Sequence, residues 1–343
     1  MLKSRNSNEY FSNKQILKYI VNIKGEVRKY LNPMMIRDKN LERLLNIQGE
    51  LYLEFEGANP TGTQKDRIAV IHARLAKELN YDVITVGSCG NYGVAIAYFA
   101  KLFGLKAVVV IPKGYHATRF HEFEEYGARI VRIEGMYEDA VTYSKILAKR
   151  EGWYDANPGL ENREINMVAY STISDHIFRY FNDSPDTVSV AVGNGTTLAG
   201  IFFGFEELYR NGFITHIPRM IAGSTPKDNA VIHSFLMGSE SAIAIPPEKI
   251  HETTINEPLV NYYAFDGDAA LHALRKSNGF AEYVSDYRML YLSRLLKRTS
   301  GLNVLPASTA ALGALINVLK KLEKSGELTD KEHHVVVLTA RNF

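Results

Sequence analysis

The sequence predicts an α/β fold of two open, mostly parallel sheets with helices on both faces. Short runs rich in Val and Ile alternate with helix-length amphipathic segments from residue 81 onward, which is typical of parallel sheets covered on both sides. Glycine-containing turns follow predicted strands, at the end of the sheet where such folds bind ligands. The length of 343 residues indicates about two domains.

Composition and charge exclude several classes of function. A hydrophobic content of 46% and a charged content of 23% are ordinary for a soluble globular protein, and a net charge of +2 does not favour nucleic acid or an anionic membrane as partner. No apolar run approaches the ~20 residues that span a bilayer, and no signal-peptide core opens the chain, so a cytoplasmic location is predicted. One cysteine, Cys89, excludes an internal disulfide framework and a cysteine-rich zinc site, and no metal is predicted.

Residues 1–50 are predicted to form a helical segment that packs on the large domain and carries no chemistry. Ser12 and Gln15 fit a capping box at the start of a helix. An apolar stripe follows at Ile16, Leu17, Ile20 and Val21.

Leu51–Phe55 alternates as a strand, and the turn Asn59–Arg67 leads from it into a helix. Ile68, Ile71, Leu75 and Leu79 form one apolar stripe of that helix. Lys65 therefore lies where a loop becomes a helix N-terminus, where the helix dipole disfavours an ammonium and favours a neutral, nucleophilic amine.

Strands and helices alternate through the rest of the chain. The predicted strands are Val83–Val86, Ala107–Ile111, Arg129–Ile133, Thr187–Val192, Arg219–Gly223 and His334–Thr339. The predicted helices are Val94–Phe103, Ala117–Tyr126, Tyr137–Lys149, 161–182, a segment ending at Leu208, and Thr309–Leu322. We expect residues 51–79 and 186–343 to form the large domain, and residues 80–185 to form a smaller, mobile one.

The turn Asn-Pro-Thr-Gly-Thr-Gln-Lys-Asp-Arg at 59–67 resembles the lysine signature of the fold-type II pyridoxal-phosphate enzymes, the tryptophan synthase β-like family. In that family the lysine carries pyridoxal 5′-phosphate as a Schiff base, a role that the resemblance gives to Lys65. The resemblance covers roughly residues 50–343, is strongest to the threonine-synthase branch, and implies a homodimer.

A second turn, Gly193-Asn194-Gly195-Thr196-Thr197, joins a predicted strand to a helix. Its glycines allow close backbone approach, its amides and hydroxyls donate to an anion, and the helix dipole adds favourable charge. It resembles the phosphate loop of threonine synthases, so all five residues are predicted to bind the cofactor phosphate.

A third turn, Ser88-Cys89-Gly90-Asn91-Tyr92, resembles the family's Ser-x-Gly-Asn turn. The resemblance assigns the side chain of Asn91 to the cofactor's phenolate oxygen, and the whole turn to the substrate, whose carboxylate it holds. Asn91 could instead be chosen for a left-handed turn. Cys89 is interpreted as a small buried residue. Tyr92 is bulkier than the family's usual residue and is expected to reshape the substrate pocket.

The C-terminal segments Val284–Asp286, Pro306–Ala311 and Val337–Ala340 also resemble family motifs. Thr339 matches the threonine that faces the pyridine nitrogen in threonine synthases, and a hydroxyl there suits elimination or replacement over transamination. Ser308 is the second candidate for this role, or simply caps the helix from Thr309.

The expected substrate is a small α-amino acid with a β- or γ-leaving group. Asn157–Pro158 resembles the branch's Asn-Pro segment, but Gly159 and Leu160 stand where the branch places an arginine for the substrate phosphate. Arg163 is the candidate substitute, and O-phosphohomoserine is in question as substrate.

The predicted activity is a pyridoxal-phosphate-dependent lyase of amino-acid biosynthesis with threonine synthase-like elimination and addition. The alternatives are a β-replacement synthase, a Ser/Thr dehydratase-type lyase, and, in another class, a non-catalytic α/β metabolite-binding protein. A dinucleotide enzyme is disfavoured, because no Gly-x-Gly-x-x-Gly opens a helix after an early strand.

Overall fold

The computed structural model describes residues 2–3, 10–11, 24–88, 90–114, 119–159 and 161–343. The predicted capping box and stripe near residues 12–21 lie outside these ranges, as do Cys89 and Leu160. The chain divides into two compact units. The first holds residues up to Asn32, Asn59–Ala169 and Phe343, and the second holds Pro33–Ala58 and Tyr170–Asn342.

The strands, numbered along the chain, are between two and seven residues long. They are β1 (Leu2–Lys3), β2 (Tyr10–Phe11), β3 (Met34–Arg37), β4 (Glu50–Phe55), β5 (Val83–Gly87), β6 (Lys106–Pro112), β7 (Arg129–Ile133), β8 (Tyr154–Asp155), β9 (Thr187–Ala191), β10 (Arg219–Ser224), β11 (Phe280–Tyr283) and β12 (His333–Leu338). The helices are Lys39–Leu45, Lys65–Glu78, Asn91–Leu102, Phe120–Glu125, Tyr137–Glu151, Arg163–Phe181, Thr196–Arg210, Ala230–Leu236, Gly267–Lys276, Asp286–Thr299 and Ala310–Ser325.

The first unit is built on a parallel sheet in the order β7-β6-β5-β8. Its central strands are almost wholly buried, whereas the edge strand β7 is half exposed. β5 ends at Gly87, so its carboxyl end delivers the turn 88–93 and the helix Asn91–Leu102. The helix Lys65–Glu78 buries Ile68, Ile71 and Leu75, as its stripe predicts.

The second unit is built on a six-stranded sheet in the order β11-β10-β9-β12-β4-β3. All neighbouring pairs are parallel except β3 with β4, so one antiparallel strand closes an edge. The core between this sheet and its helices includes Leu51, Ile221, Leu292, Leu315 and Leu338. The carboxyl ends of β9 and β12 lead to the Gly193 loop and to Thr339.

The predicted fold class is confirmed, and the strands and long helices lie within a few residues of their expected bounds. Five strands, β1, β2, β3, β8 and β11, were not predicted, because each has four residues or fewer and none is a long apolar run. Residues 80–169 of the expected smaller domain lie in the first unit and residues 170–185 in the second. Residues 59–79, expected in the large domain, also lie in the first unit, and the mobility of the smaller domain stays a prediction. In the described part of the chain, no helix is both long and apolar enough to cross a membrane.

Candidate functional site

The lysine turn is tied together by its own side chains. Lys65 is the first residue of its helix, and its backbone N–H donates to Thr63 Oγ1 at 3.1 Å. The buried carboxylate of Asp66 accepts from the backbone N–H of Thr61 at 2.7 Å and from the Thr61 hydroxyl. Gly62 has a φ of +81°, a conformation that favours glycine. The side chain of Lys65 therefore starts from a fixed piece of backbone.

Tyr92 lies beside the lysine amine. Lys65 Nζ is 5.9 Å from the centre of the Tyr92 ring. The ring is buried, and its hydroxyl donates to the carbonyl of Ala156 at 2.7 Å. This bulky side chain is thus held next to the Lys65 amine, and its effect on a substrate pocket stays a prediction.

Asn91 is the first residue of the helix Asn91–Leu102 and has no positive φ, so the left-handed alternative for Asn91 is wrong. Asn91 Oδ1 accepts from Nη1 of Arg119 at 2.8 Å. Ser88 is buried, and its Oγ accepts the backbone N–H of Gly93 at 3.0 Å. Its hydroxyl hydrogen can still donate, because accepting a hydrogen bond does not use it.

Asn157 holds the carboxyl end of β5, directly before this turn. Asn157 Oδ1 accepts from the backbone N–H of Gly87 at 2.7 Å, and Nδ2 donates to Asp155 Oδ1 at 2.6 Å and to Ser144 Oγ at 3.0 Å. Burial raises the pKa of Asp155, and the hydrogen bonds from Asn157 oppose that rise. Arg163, the candidate for the substrate phosphate, is the half-buried first residue of the helix Arg163–Phe181.

In the second unit, the glycine loop is shaped by packing as well as by backbone freedom. Gly195 has a φ of +90°, and a Cβ added there would lie 2.6 Å from Ala270 Cβ. A Cβ on Gly193 would lie 3.0 Å from the Pro258 carbonyl oxygen. The glycines that the sequence assigned to close approach of an anion are therefore also required by neighbouring protein atoms.

Two side chains that were not predicted hold this loop. Asn229 Nδ2 donates to the carbonyls of Val192 at 3.0 Å and Gly193 at 3.1 Å. The buried carboxylate of Asp266 accepts the Thr196 hydroxyl at 2.7 Å. That hydroxyl hydrogen is thus engaged within the protein, and Thr196 can donate to a phosphate only through its backbone N–H.

The loop contains a buried polar atom that lacks a hydrogen-bond partner in the described part of the chain and is available to a bound group. The side-chain oxygen of Asn194 is buried and has no hydrogen-bond partner among the described residues. Buried polar groups are almost always satisfied, and an amide can present either its oxygen or its amino group. Next to it begins the 15-residue helix Thr196–Arg210, whose first backbone N–H groups and dipole favour an anion. The residues present therefore fit a phosphate.

Thr339 and Ser308 are brought together at the carboxyl end of β12. Their hydroxyl oxygens lie 2.9 Å apart, and both residues are buried. The helix Ala310–Ser325 receives no side-chain cap at its start, so the alternative that Ser308 only caps this helix is wrong. Ser308 instead supports Thr339.

No pattern in the sequence indicated Arg119, Asp266 or Asn229. Arg119 is separated by 28 residues from Asn91, and Asp266 by 70 from Thr196, so only the fold reveals these contacts. Within the described ranges, no group of three or more His, Cys, Asp or Glu side chains is placed to hold a metal ion.

Comparison with known proteins gives one family. A family model described as pyridoxal-phosphate dependent enzyme matches residues 31–340. A threonine synthase of Methanocaldococcus jannaschii is 31% identical over 307 residues, which cover 89% of this chain and 73% of that protein.

Two solved structures share the fold at lower identity. Threonine deaminase isoform 2 from Solanum lycopersicum superposes with a TM-score of 0.77 at 15% identity, covering 97% of this chain and 91% of that chain. Serine racemase from Dictyostelium discoideum superposes with a TM-score of 0.75 at 20% identity, covering 95% of this chain and 98% of that chain. Because the family match spans nearly the whole chain, this protein belongs to the pyridoxal-phosphate dependent enzymes, and its cofactor is pyridoxal 5′-phosphate.

Proposed function

We propose that this protein is a lyase or synthase acting on a small α-amino acid that carries a β- or γ-leaving group. Threonine synthase-like elimination and addition is the first candidate. The observation that carries the proposal is the buried hydroxyl pair of Ser308 and Thr339 at the carboxyl end of β12.

A hydroxyl facing the cofactor's ring nitrogen favours one type of chemistry. A hydroxyl donates a hydrogen bond without giving up its proton, whereas a carboxylate beside a pyridine keeps that nitrogen protonated. An unprotonated ring withdraws electrons more weakly, which suits loss of a β- or γ-group over transamination. Thr339, with Ser308 behind it, is the residue that we assign to this nitrogen.

The remaining roles go to residues of the lysine turn, the Ser88 turn and the glycine loop. When bound, pyridoxal phosphate withdraws electrons from the substrate's α-carbon. Lys65 Nζ takes the α-proton and returns a proton as general base and acid. Asn91 contacts the phenolate oxygen, and Ser88 with the backbone of Gly90 contacts the substrate carboxylate.

The phosphate of the cofactor is assigned to the glycine loop. Gly193, Asn194, Gly195, Thr196 and Thr197 offer backbone N–H groups at a helix N-terminus, and Thr197 adds its hydroxyl. The side-chain oxygen of Asn194, buried without a hydrogen-bond partner among the described residues, supports a bound group at this loop.

The leaving group decides among the alternatives. Arg119 is buried, but Glu122 already neutralises it through a two-pronged ion pair, so Arg119 offers no spare charge for a substrate phosphate. That observation favours the two alternatives in which the leaving group carries no charge while it is attached to the substrate, a β-replacement synthase and a Ser/Thr dehydratase-type lyase. The identity of 31% to a threonine synthase, with Arg163 as substitute, favours the first candidate.

A substrate panel tests the proposal. Purified holoenzyme is given O-phosphohomoserine, O-acetylserine with sulfide, serine and threonine in separate reactions. Phosphate with threonine identifies the first candidate, cysteine identifies β-replacement, and a 2-oxo acid with ammonia identifies the dehydratase. A protein that turns over none of them, and whose visible band none of them changes, overturns the proposal and supports the metabolite-binding alternative. The homodimer and the cytoplasmic location stay predictions, and sedimentation tests the first.

A further inference from the structure

Arg119 is a buried side chain with a full set of partners in the first unit. It is 3% exposed and precedes the helix Phe120–Glu125. Nε and Nη2 donate to the two carboxylate oxygens of Glu122, each at 2.5 Å, and Nη2 also donates to the Thr61 carbonyl at 2.9 Å. Because Glu122 and the lysine turn hold two of its three nitrogens, the direction of the third is fixed.

That third nitrogen determines how the Asn91 amide is turned. Nη1 of Arg119 lies 2.8 Å from Asn91 Oδ1. A guanidinium has only donors, so the atom facing it must be the amide oxygen and not the amide nitrogen. The amino group of Asn91 is consequently turned away from Arg119.

The surroundings of the guanidinium strengthen this contact. The Phe343 ring covers its face, with Arg119 Cζ 3.6 Å from the ring centre. A charge-assisted hydrogen bond in a site with little water is stronger than a neutral one, and it polarises the group that accepts it. Withdrawing electron density through Oδ1 makes the Nδ2 hydrogens of Asn91 better donors.

We propose that Arg119 is a positioning residue that orients and polarises Asn91, so that Nδ2 of Asn91 donates to the phenolate oxygen of the bound cofactor. The inference rests on the role proposed for Asn91. Glu122 and Thr61 hold Arg119 itself, and Asn91 transmits its effect.

A double-mutant cycle on cofactor affinity tests this. Arg119→Lys keeps a positive charge for Glu122 and so preserves the fold, but an ammonium cannot reproduce the guanidinium fork. Holoenzyme of the natural protein, Arg119→Lys, Asn91→Ala and the double variant is stripped of cofactor and titrated with pyridoxal phosphate, following the visible band. Arg150→Lys is the matched control, because Arg150 is an exposed residue of the same unit that pairs only with its neighbour Glu151 in the ion pairs described.

We expect Arg119→Lys to weaken cofactor binding about tenfold in the natural protein and less than about twofold when Asn91 is already alanine. Arg150→Lys should leave the affinity for the cofactor unchanged, both with Asn91 and with alanine at position 91. An equal loss in both backgrounds, or no loss in the natural protein, overturns the inference. If Asn91→Ala alone leaves affinity unchanged, the role proposed for Asn91 is wrong and the inference falls with it, while the substrate panel still stands.

Discussion

Ser308 and Thr339 form a hydrogen-bonded pair in which Ser308 Oγ lies 2.9 Å from Thr339 Oγ1 and also accepts the backbone N–H of Thr339 at 2.5 Å. Two hydroxyls carry two hydrogens, and only one of them can lie between the two oxygens. Whichever residue donates, one hydroxyl hydrogen remains for an outside acceptor. A pyridine nitrogen is such an acceptor, so this pair can serve it without a carboxylate.

Thr339→Val should slow the reaction and leave the fold intact. Valine keeps the shape of threonine but removes the hydroxyl that bonds Ser308 and, in the proposal, the ring nitrogen. Loss of the hydrogen bond to the nitrogen should lower kcat about fivefold, equivalent to about 1 kcal/mol. Steady-state kinetics on the substrate identified in the panel measures it. Thr339→Ser, which keeps the hydroxyl, is the control. Equal kcat values for the valine and serine variants would show that the Thr339 hydroxyl has no role in the site.

Gly195→Ala should destabilise the second unit and weaken cofactor binding. The new Cβ would lie 2.6 Å from Ala270 Cβ, in addition to the strain of a φ of +90°. Gly212→Ala is the matched control, since Gly212 has a φ of +72° but no atom within 4 Å of an added Cβ. We expect the melting temperature to fall more for Gly195→Ala than for Gly212→Ala. Equal falls would mean that backbone strain alone explains the glycine.

Lys65→Ala should abolish the borohydride-sensitive visible band. Without the amine, no covalent link to the cofactor forms, and turnover should drop at least about 100-fold because the proton-transfer group is also lost. Absorbance before and after borohydride, followed by peptide mass analysis, measures the first effect. Lys77→Ala, on the exposed side of the same helix, should behave like the natural protein. A pyridoxyl adduct on another lysine would contradict the assignment.

Acid should destabilise the protein through two buried histidines. His72 lies between the Tyr154 hydroxyl at 2.9 Å and Asn166 Oδ1 at 2.8 Å, and burial lowers its pKa from 6.5 to about 4. Burial also lowers the pKa of His334 to about 4. Between these values the unfolded chain binds protons that the folded chain does not, so the free energy of unfolding decreases as pH falls from about 6.5 toward 4.

Urea unfolding between about pH 7 and pH 5 measures this decrease, to which each histidine contributes a slope of up to about 1.4 kcal/mol per pH unit. His72→Gln keeps one acceptor and one donor in the same place and cannot titrate. Its stability should therefore decline less steeply over that range. An unchanged slope would mean that His72 does not take part.

The sequence was sufficient to locate the turns of the candidate site, because each turn is local. The Lys65 turn, the Ser88 turn and the Gly193 loop each lie within a few consecutive residues, and each follows a strand with a clear apolar pattern. The position of Thr339 at the carboxyl end of a strand could be predicted, because β12 contains a run of valines.

The contacts that support these residues could not be predicted from the sequence. Arg119 reaches Asn91 and Thr61, and Asn229 reaches Gly193, across separations of 28, 58 and 36 residues. A one-dimensional pattern records periodicity and local turn chemistry, but no rule of spacing relates a buried arginine to an amide in another element. The same limit applies to β8, which consists of two residues and is defined by its partner β5.

The position of β12 in its sheet has a consequence for biosynthesis. The first unit's sheet draws its strands from residues 83–155 alone, so its pairing needs only a local stretch of chain. In the second unit, β12 lies between β4 and β9, and these two strands are not hydrogen-bonded to each other. During translation, β4 and β9 therefore each keep an unpaired edge until residues 333–338 emerge from the ribosome. Unpaired strand edges promote aggregation. A nascent chain of this protein should depend on chaperones until β12 is made.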